Sequence, residues 1–273
     1  MGARARFQQV TKVLTLALTF TLSISSVTSA AQAREQSIKV CAVPQLYQAL
    51  SYLNKHSPVP YTTVFATANE LYAQIANASI NDTISLCDVV LSSDERLPIS
   101  LIRSQKALGN SLQPFTRAPL VWWSADKNLF KGHDPHWCLN KQTIKSLAIA
   151  SPRLTPVGFA TAQVLKRSDL KTQYLKDKTY RSDQEYQVYS MVASGNVHSG
   201  IISKPLIASV SSPVAGSYYQ IPRTWHSDIQ YYVLLLNTSK DNQQAHKFMN
   251  YLVHDTKAQQ VLSDCGFAPL TPD

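Results

Sequence analysis

Short apolar runs alternate with amphipathic helical periods along most of this chain, and an apolar run too short for a helix buries itself most readily as a strand in a sheet. Residues 38–43 read as the first such strand, and residues 45–54 carry Leu46, Ala49, Leu50 and Leu53 at helical spacing. Residues 61–66 are β-rich, residues 69–76 return to helical periodicity through Leu71, Ile75 and Ala76, and residues 87–91 form a third strand. Strands that alternate with helices imply a mostly parallel sheet with right-handed crossovers, and such sheets bind ligands beyond the carboxyl ends of their strands. Those ends fall here at Pro44, Thr67 and Ser92. The pattern resumes after Arg117: residues 120–124, 147–150 and 200–203 read as strands, and residues 156–166 and 182–194 as helices. A long strand at residues 229–237 and one closing helix at residues 243–263 complete the chain. The expected fold class is therefore α/β with two lobes and a cleft between them, each lobe a mostly parallel sheet flanked by helices.

The most pointed local pattern is LAIASPRLTPVGFATAQVL, residues 147–165. A four-residue strand breaks at Ser151-Pro152, and a helix starts at Pro156 with Thr155 as its cap. The free N–H groups and the positive dipole end of such a start attract oxyanions without any charged side chain, and Gly158 is placed to let a ligand approach the main chain.

Residues 1–33 carry Arg4, Arg6 and Lys12 ahead of an apolar run and close on Ala31-Gln32-Ala33. This is the pattern of a cleaved export signal, and its apolar run is too short for a comfortable membrane span. Removing those three basic residues from a net charge of +9 leaves +6. The positive charges are dispersed, which gives no footprint for nucleic acid and fits the collection of small anions. Four cysteines lie beyond the signal, in a compartment where disulfides persist. Three pairings are possible. Cys41 and Cys87 fall in strand-like runs, where a free buried thiol is common, whereas Cys138 and Cys265 lie in irregular segments and are the better bridge candidates.

Other constellations compete. His133, Asp134, His136 and Cys138 form a candidate metal cluster, against the plainer reading of a solvated loop. Trp122, Trp123, Tyr231 and Tyr232 are candidates for an aromatic cleft, against packing. Arg117 and Arg153 are candidate cations for a larger anion. No nucleophile elbow, P-loop or zinc-protease motif occurs, so no enzyme is expected.

In order along the chain, IKVCAVPQLYQAL, VFATANELYAQI, CDVVLSSD, the residue 147–165 segment, GIISKPLIA and MNYLVHDTKAQQVLSDCGF resemble the periplasmic molybdate-binding proteins of ABC importers, which are bilobed solute-binding proteins. The resemblance spans essentially the whole chain after the signal. It implies a monomer in the periplasm that holds molybdate or tungstate between its lobes and delivers it to a membrane permease, with no cofactor. It implies lobe 1 from residues 34–117 plus 231–273 and lobe 2 from residues 118–230. In that family two serine hydroxyls, backbone N–H groups and a tyrosine hydroxyl hold the dehydrated oxyanion. Gln45 stands at the first serine position, and Ala68, between Thr67 and Asn69, at the second. The backbone donors correspond to Val157 and Glu185, and the tyrosine to Ser203. The Gln45 amide is a candidate substitute for one hydroxyl, and Thr67 or Asn69 for the other. A carboxylate beside a dianion repels it, yet Ser182-Asp183-Gln184-Glu185 reads as a capping box that turns Glu185 back onto the cap's own N–H and away from the ligand.

Overall fold

The computed structural model describes residues 37–77, 86–208 and 214–271, so the export-signal reading of residues 1–33 lies outside the described residues. The first run of elements is β1 (Ile38–Ala42), α1 (Tyr47–Leu53), β2 (Tyr61–Phe65), α2 (Ala68–Asn77), β3 (Val89–Ser92), α3 (Arg96–Arg103) and β4 (Gln113–Arg117). The second is β5 (Leu120–Ser124), α4 (Pro135–Asn140), β6 (Leu147–Ala150), α5 (Pro156–Leu165), β7 (Thr179–Ser182), α6 (Glu185–Ala193), β8 (Ser199–Ser203), α7 (Pro205–Ala208) and β9 (Ser217–Gln220). The chain closes with β10 (Gln230–Leu235), α8 (Gln243–His254) and α9 (Thr256–Asp264).

Two five-stranded sheets result, in the orders β2-β1-β3-β10-β4 and β7-β6-β8-β5-β9. The two orders are the same pattern used twice, with β6, β7 and β8 in the places of β1, β2 and β3. In each sheet the three strands joined by helical crossovers pair in parallel, as expected, and the other two join antiparallel. β10 fills the place in the first sheet that β5 fills in the second, so the chain returns from the second sheet to pair with β3 and β4.

Period-two alternation explains why both faces of these strands are apolar. Val40, Val89 and Leu91 face one continuous core that also takes Leu120, Trp122 and Ile149, while Cys41 and Val90 face a second core under α2 and α3. In the second sheet Val121, Trp123, Ala148 and Ile202 face a third core under α6. Trp122 and Trp123 thus point to opposite faces of β5, both fully buried, and they are packing residues and not the lining of an aromatic cleft.

Three further expectations are corrected. The disulfide joins Cys41 to Cys87, and Cys138 and Cys265 are buried free thiols. The reason is tertiary: β1 and β3 are adjacent parallel strands, which brings Cys41 beside the residue entering β3. The closing helix is two helices, because Asp255 is extended and caps α9 by accepting from the N–H groups of Lys257 and Ala258. Gly158 makes room for protein, not ligand: a Cβ there would lie 2.3 Å from the Ser151 carbonyl oxygen.

The disulfide closes a loop with a sequence separation of 46. Replacing Cys41 and Cys87 together with alanine is expected to lower unfolding free energy by roughly 2–4 kcal/mol. Urea denaturation of the oxidised protein and the double variant measures it, and equal stability would show that the bridge adds nothing.

Candidate functional site

At the carboxyl ends of the parallel strands the chain turns directly into helices, and five of these starts face one cavity of about 420 Å³. They are the 3-10 turn at Pro44–Leu46 after β1, then α2, α3, α5 and α6. First-turn N–H groups have no intrahelical partner, so these starts turn backbone donors and positive dipole ends toward the space, except that at α3 the Arg96 N–H is already taken by Asp94 Oδ1 at 3.0 Å.

The β6–α5 junction is built as its sequence suggests. Thr155 caps α5 by accepting from the Gly158 N–H at 2.9 Å, Pro156 occupies the first turn, and the Val157 N–H is left over at the cavity wall. At α2, Thr67 and Glu70 cap each other: Glu70 Oε2 accepts from the Thr67 N–H at 2.9 Å and from its hydroxyl at 2.7 Å. The Thr67 hydroxyl is therefore committed and does not stand in for a ligand donor at Ala68. The N–H groups of Ala68 and Asn69 follow it at the wall.

Glu185 departs most from expectation. The capping box of α6 is Gln184 with Gln187, whose Oε1 accepts from the Gln184 N–H at 3.3 Å and also takes the Ser182 hydroxyl. Freed from capping, Glu185 is 1 % exposed and lines the cavity. Its Oε1 accepts from the Ser203 N–H at 2.5 Å, and its Oε2 meets the Gln45 side-chain Nε2 at 3.4 Å. Burial pushes its carboxyl above the ordinary glutamate range, against the hydrogen bonds from Ser203 and Gln45. One N–H of the Gln45 amide is thereby directed at a carboxylate, which leaves only the other for a ligand. Its Oε1 is buried with no partner.

The cavity thus brings together Gln45, Thr67, Ala68, Asn69, Val157 and Glu185, but not Ser203, which lies behind Glu185 in β8. Of the four aromatic-cleft candidates, Tyr231 does line the cavity. It is fully buried, and its hydroxyl has no hydrogen-bond partner. Arg153 lines the mouth and is exposed, whereas Arg117 is buried against the C-terminal segment, donating from Nε to the Pro269 carbonyl at 2.9 Å. Arg96, unforeseen in the sequence, pairs with Asp94 and donates across the cleft to the carbonyls of Arg153 and Leu154, each at 3.2 Å. The His133 cluster is dispersed: Asp134 caps α4, His133 stacks on Trp137, His136 meets Asp169 and Cys138 is buried. No group of three or more metal-binding side chains occurs among the described residues.

The sequence profile of the bacterial extracellular solute-binding proteins matches residues 42–268, most of the chain. The chain belongs to that family. As a member of the bacterial extracellular solute-binding proteins it is similar to the molybdate-binding protein ModA of Azotobacter vinelandii, 27% identical over 240 residues that cover 87% of this chain and 91% of the relative. ModA of Rhodobacter capsulatus is 24% identical over 76% of each chain. In fold, the periplasmic molybdate-binding protein of Azotobacter vinelandii superposes with a TM-score of 0.70 at 23% identity, covering 87% of this chain and all of that one. No helix among the described residues of this family member is long and apolar enough to cross a membrane.

A carboxyl whose folded pKa is raised opposes folding once the unfolded chain ionises, so its cost is absent below the unfolded value of about 4.3 and grows as pH rises toward the folded value. Glu185→Gln keeps an oxygen for the Ser203 N–H. Its melting temperature is expected to exceed the wild type's near neutrality, with the gap closing as pH falls through that unfolded value. A gap that stays constant with pH would show that Glu185 is not a destabilising buried acid.

Proposed function

We propose that this protein is the periplasmic solute-binding component of an ABC importer, exported by the leader at residues 1–33, that captures a small oxyanion and hands it to a membrane permease. Molybdate is the ligand that the related proteins' names favour, and tungstate, the same tetrahedral dianion in shape and charge, goes with it in this reading. The observation that carries the reading is the convergence of five helix starts, from both sheets, on one cavity. That arrangement holds an anion by backbone donors, as Val157, Ala68 and Asn69 provide here, without a dedicated cation. Capture works by closure of a lobe of residues 34–117 plus 231–273 on a lobe of residues 118–230. In support of that division, β10 pairs with β3 and β4, α8 contacts β4, and α9 contacts α1. The protein acts as a monomer in this reading, with no nucleic-acid partner, no cofactor and no catalysis.

A second reading is favoured by Glu185, an acceptor inside an anion site. It is a different small anion or polar solute, one that brings its own hydrogen-bond donor to Glu185 and meets Gln45, Asn69 or Arg153 as well.

A thermal-shift screen of the exported form against oxyanions, amino acids and organic acids separates the two. A ligand at a hundred times its dissociation constant adds about 2.7 kcal/mol to the native state. If molybdate gives such a shift, Val157→Pro, which deletes one donor at a helix position where proline is tolerated, is expected to weaken binding by roughly 1.5–3 kcal/mol. Unchanged affinity in the folded variant would remove that N–H from the site, and no shift with any oxyanion would sink the first reading.

A further inference from the structure

Two acceptors in the cavity wall are weakly served or unpaired. Glu185 Oε1 is held by the Ser203 N–H at 2.5 Å, but Oε2 has only the long 3.4 Å contact with Gln45, and Gln45 Oε1 has no partner at all. An oxyanion stripped of water and set among helix starts offers only more acceptor oxygens, so it leaves these atoms as unsatisfied as before and adds like-charge repulsion. The groups around Glu185 do not offset this. From β10 comes the Tyr231 phenol and from β8 the Ser203 hydroxyl, buried neutral donors that lower the cost of the carboxylate but bring no charge to offset an anion, and from the loop after β3 comes Asp94, already paired with Arg96. From the turn after β6 comes Arg153, exposed at the mouth, and after β8 comes Lys204, whose ammonium reaches Gln220 at 3.4 Å. Gln45 after β1 and Val157 on α5 are uncharged. With no buried cation facing the pair among the described residues, a proton is what reconciles a buried acid with a bound anion.

We infer that the ligand complex holds one proton between Glu185 Oε2 and an oxygen of the oxyanion. The inference rests on the oxyanion reading of the site. Anions that carry an O–H near neutrality, of the hydrogen phosphate and phosphonate kind, bring that proton themselves. Fully deprotonated anions such as molybdate bind only as a proton passes from solvent to the Glu185 carboxyl, which then donates to the ligand. Burial that already raises this carboxyl eases the uptake. Glu185 is thus a specificity residue: it penalises an unprotonated dianion more as pH rises.

Titration calorimetry of the wild type with molybdate and with inorganic phosphate, from about pH 5 to about pH 8 in buffers of different ionisation enthalpy, reads the proton directly. For molybdate the expected uptake is about one proton per ligand above the free-site pKa, with the dissociation constant rising by up to about tenfold per pH unit there and flat below it. For phosphate the expected exchange is about zero at the upper end, where hydrogen phosphate already carries the one proton, and a net release below neutrality, where dihydrogen phosphate sheds a proton to leave one in the complex. Glu185→Gln, which offers a permanent N–H, is expected to bind molybdate more tightly than wild type at the upper end and without pH dependence. Tight molybdate binding by the wild type with no proton uptake and no slope overturns this inference alone. Absence of binding by any oxyanion to either protein at every pH overturns the oxyanion reading and the inference with it. The wild-type titration stands whether or not the variant folds.

Discussion

Everything at the cleft depends on both faces of each sheet being covered. Because Val40 and Cys41, or Val121 and Trp122, alternate between two apolar cores, helices occupy both faces of these strands, and the strand ends are where polar chemistry can open. At those ends the chain must turn into a helix to cross back, so every parallel strand that feeds a crossover delivers a helix start to the same rim. The ring of helix starts on which the oxyanion proposal rests follows from topology before any side chain is considered. The Ser151 carbonyl and Gly158 show how tight the geometry is: a single Cβ would push α5 off the strand that launches it.

The apolar strands and the β6–α5 junction were legible in the sequence because they rest on local signals, namely apolar runs, Thr155-Pro156 and the spacing of Leu46, Ala49, Leu50 and Leu53, whereas the polar, partly exposed parallel strand Thr179–Ser182 was not. Asp255 was legible in principle, since an Asp followed by a Lys-Ala start is a cap signal, but the apolar period on either side masked it. The antiparallel strands were harder. Gln113–Arg117 and Ser217–Gln220 are short, partly exposed edge strands without a long apolar run. The Cys41–Cys87 pair depended on which strands become neighbours, and no local pattern carries that.

The misreading at Glu185 has a particular cause. Two capping boxes overlap in Ser182-Asp183-Gln184-Glu185-Tyr186-Gln187, and they differ only in where the chain stops being extended. Gln184, at φ −124° and ψ 144°, is still extended, so the helix starts at Glu185 and its side chain is released from capping. What then draws it inward is the Ser203 N–H from β8, a strand eighteen positions away. The site residues read from resemblance, except Ser203, line one cavity because the turns that present them are set by the fold, while what each side chain does there was set by neighbours that only the tertiary structure supplies. Thr67, turned to Glu70, is the same case in miniature.

The polar links across the cleft are few and weakly placed. Arg96 reaches the carbonyls of Arg153 and Leu154 from an exposed position, where such contacts contribute little, and the Gln45–Glu185 contact is long. Two of the three acceptors involved, Arg153 and Leu154, sit in the turn that leads into α5, so Arg96 aligns the donor-bearing helix start more than it fastens the two sides together. One apolar core joins strands of both sheets, so on the proposed reading the ligand's own hydrogen bonds, each of about 1.5–3 kcal/mol when one partner is charged, outweigh these few polar links in deciding whether the cleft stays shut.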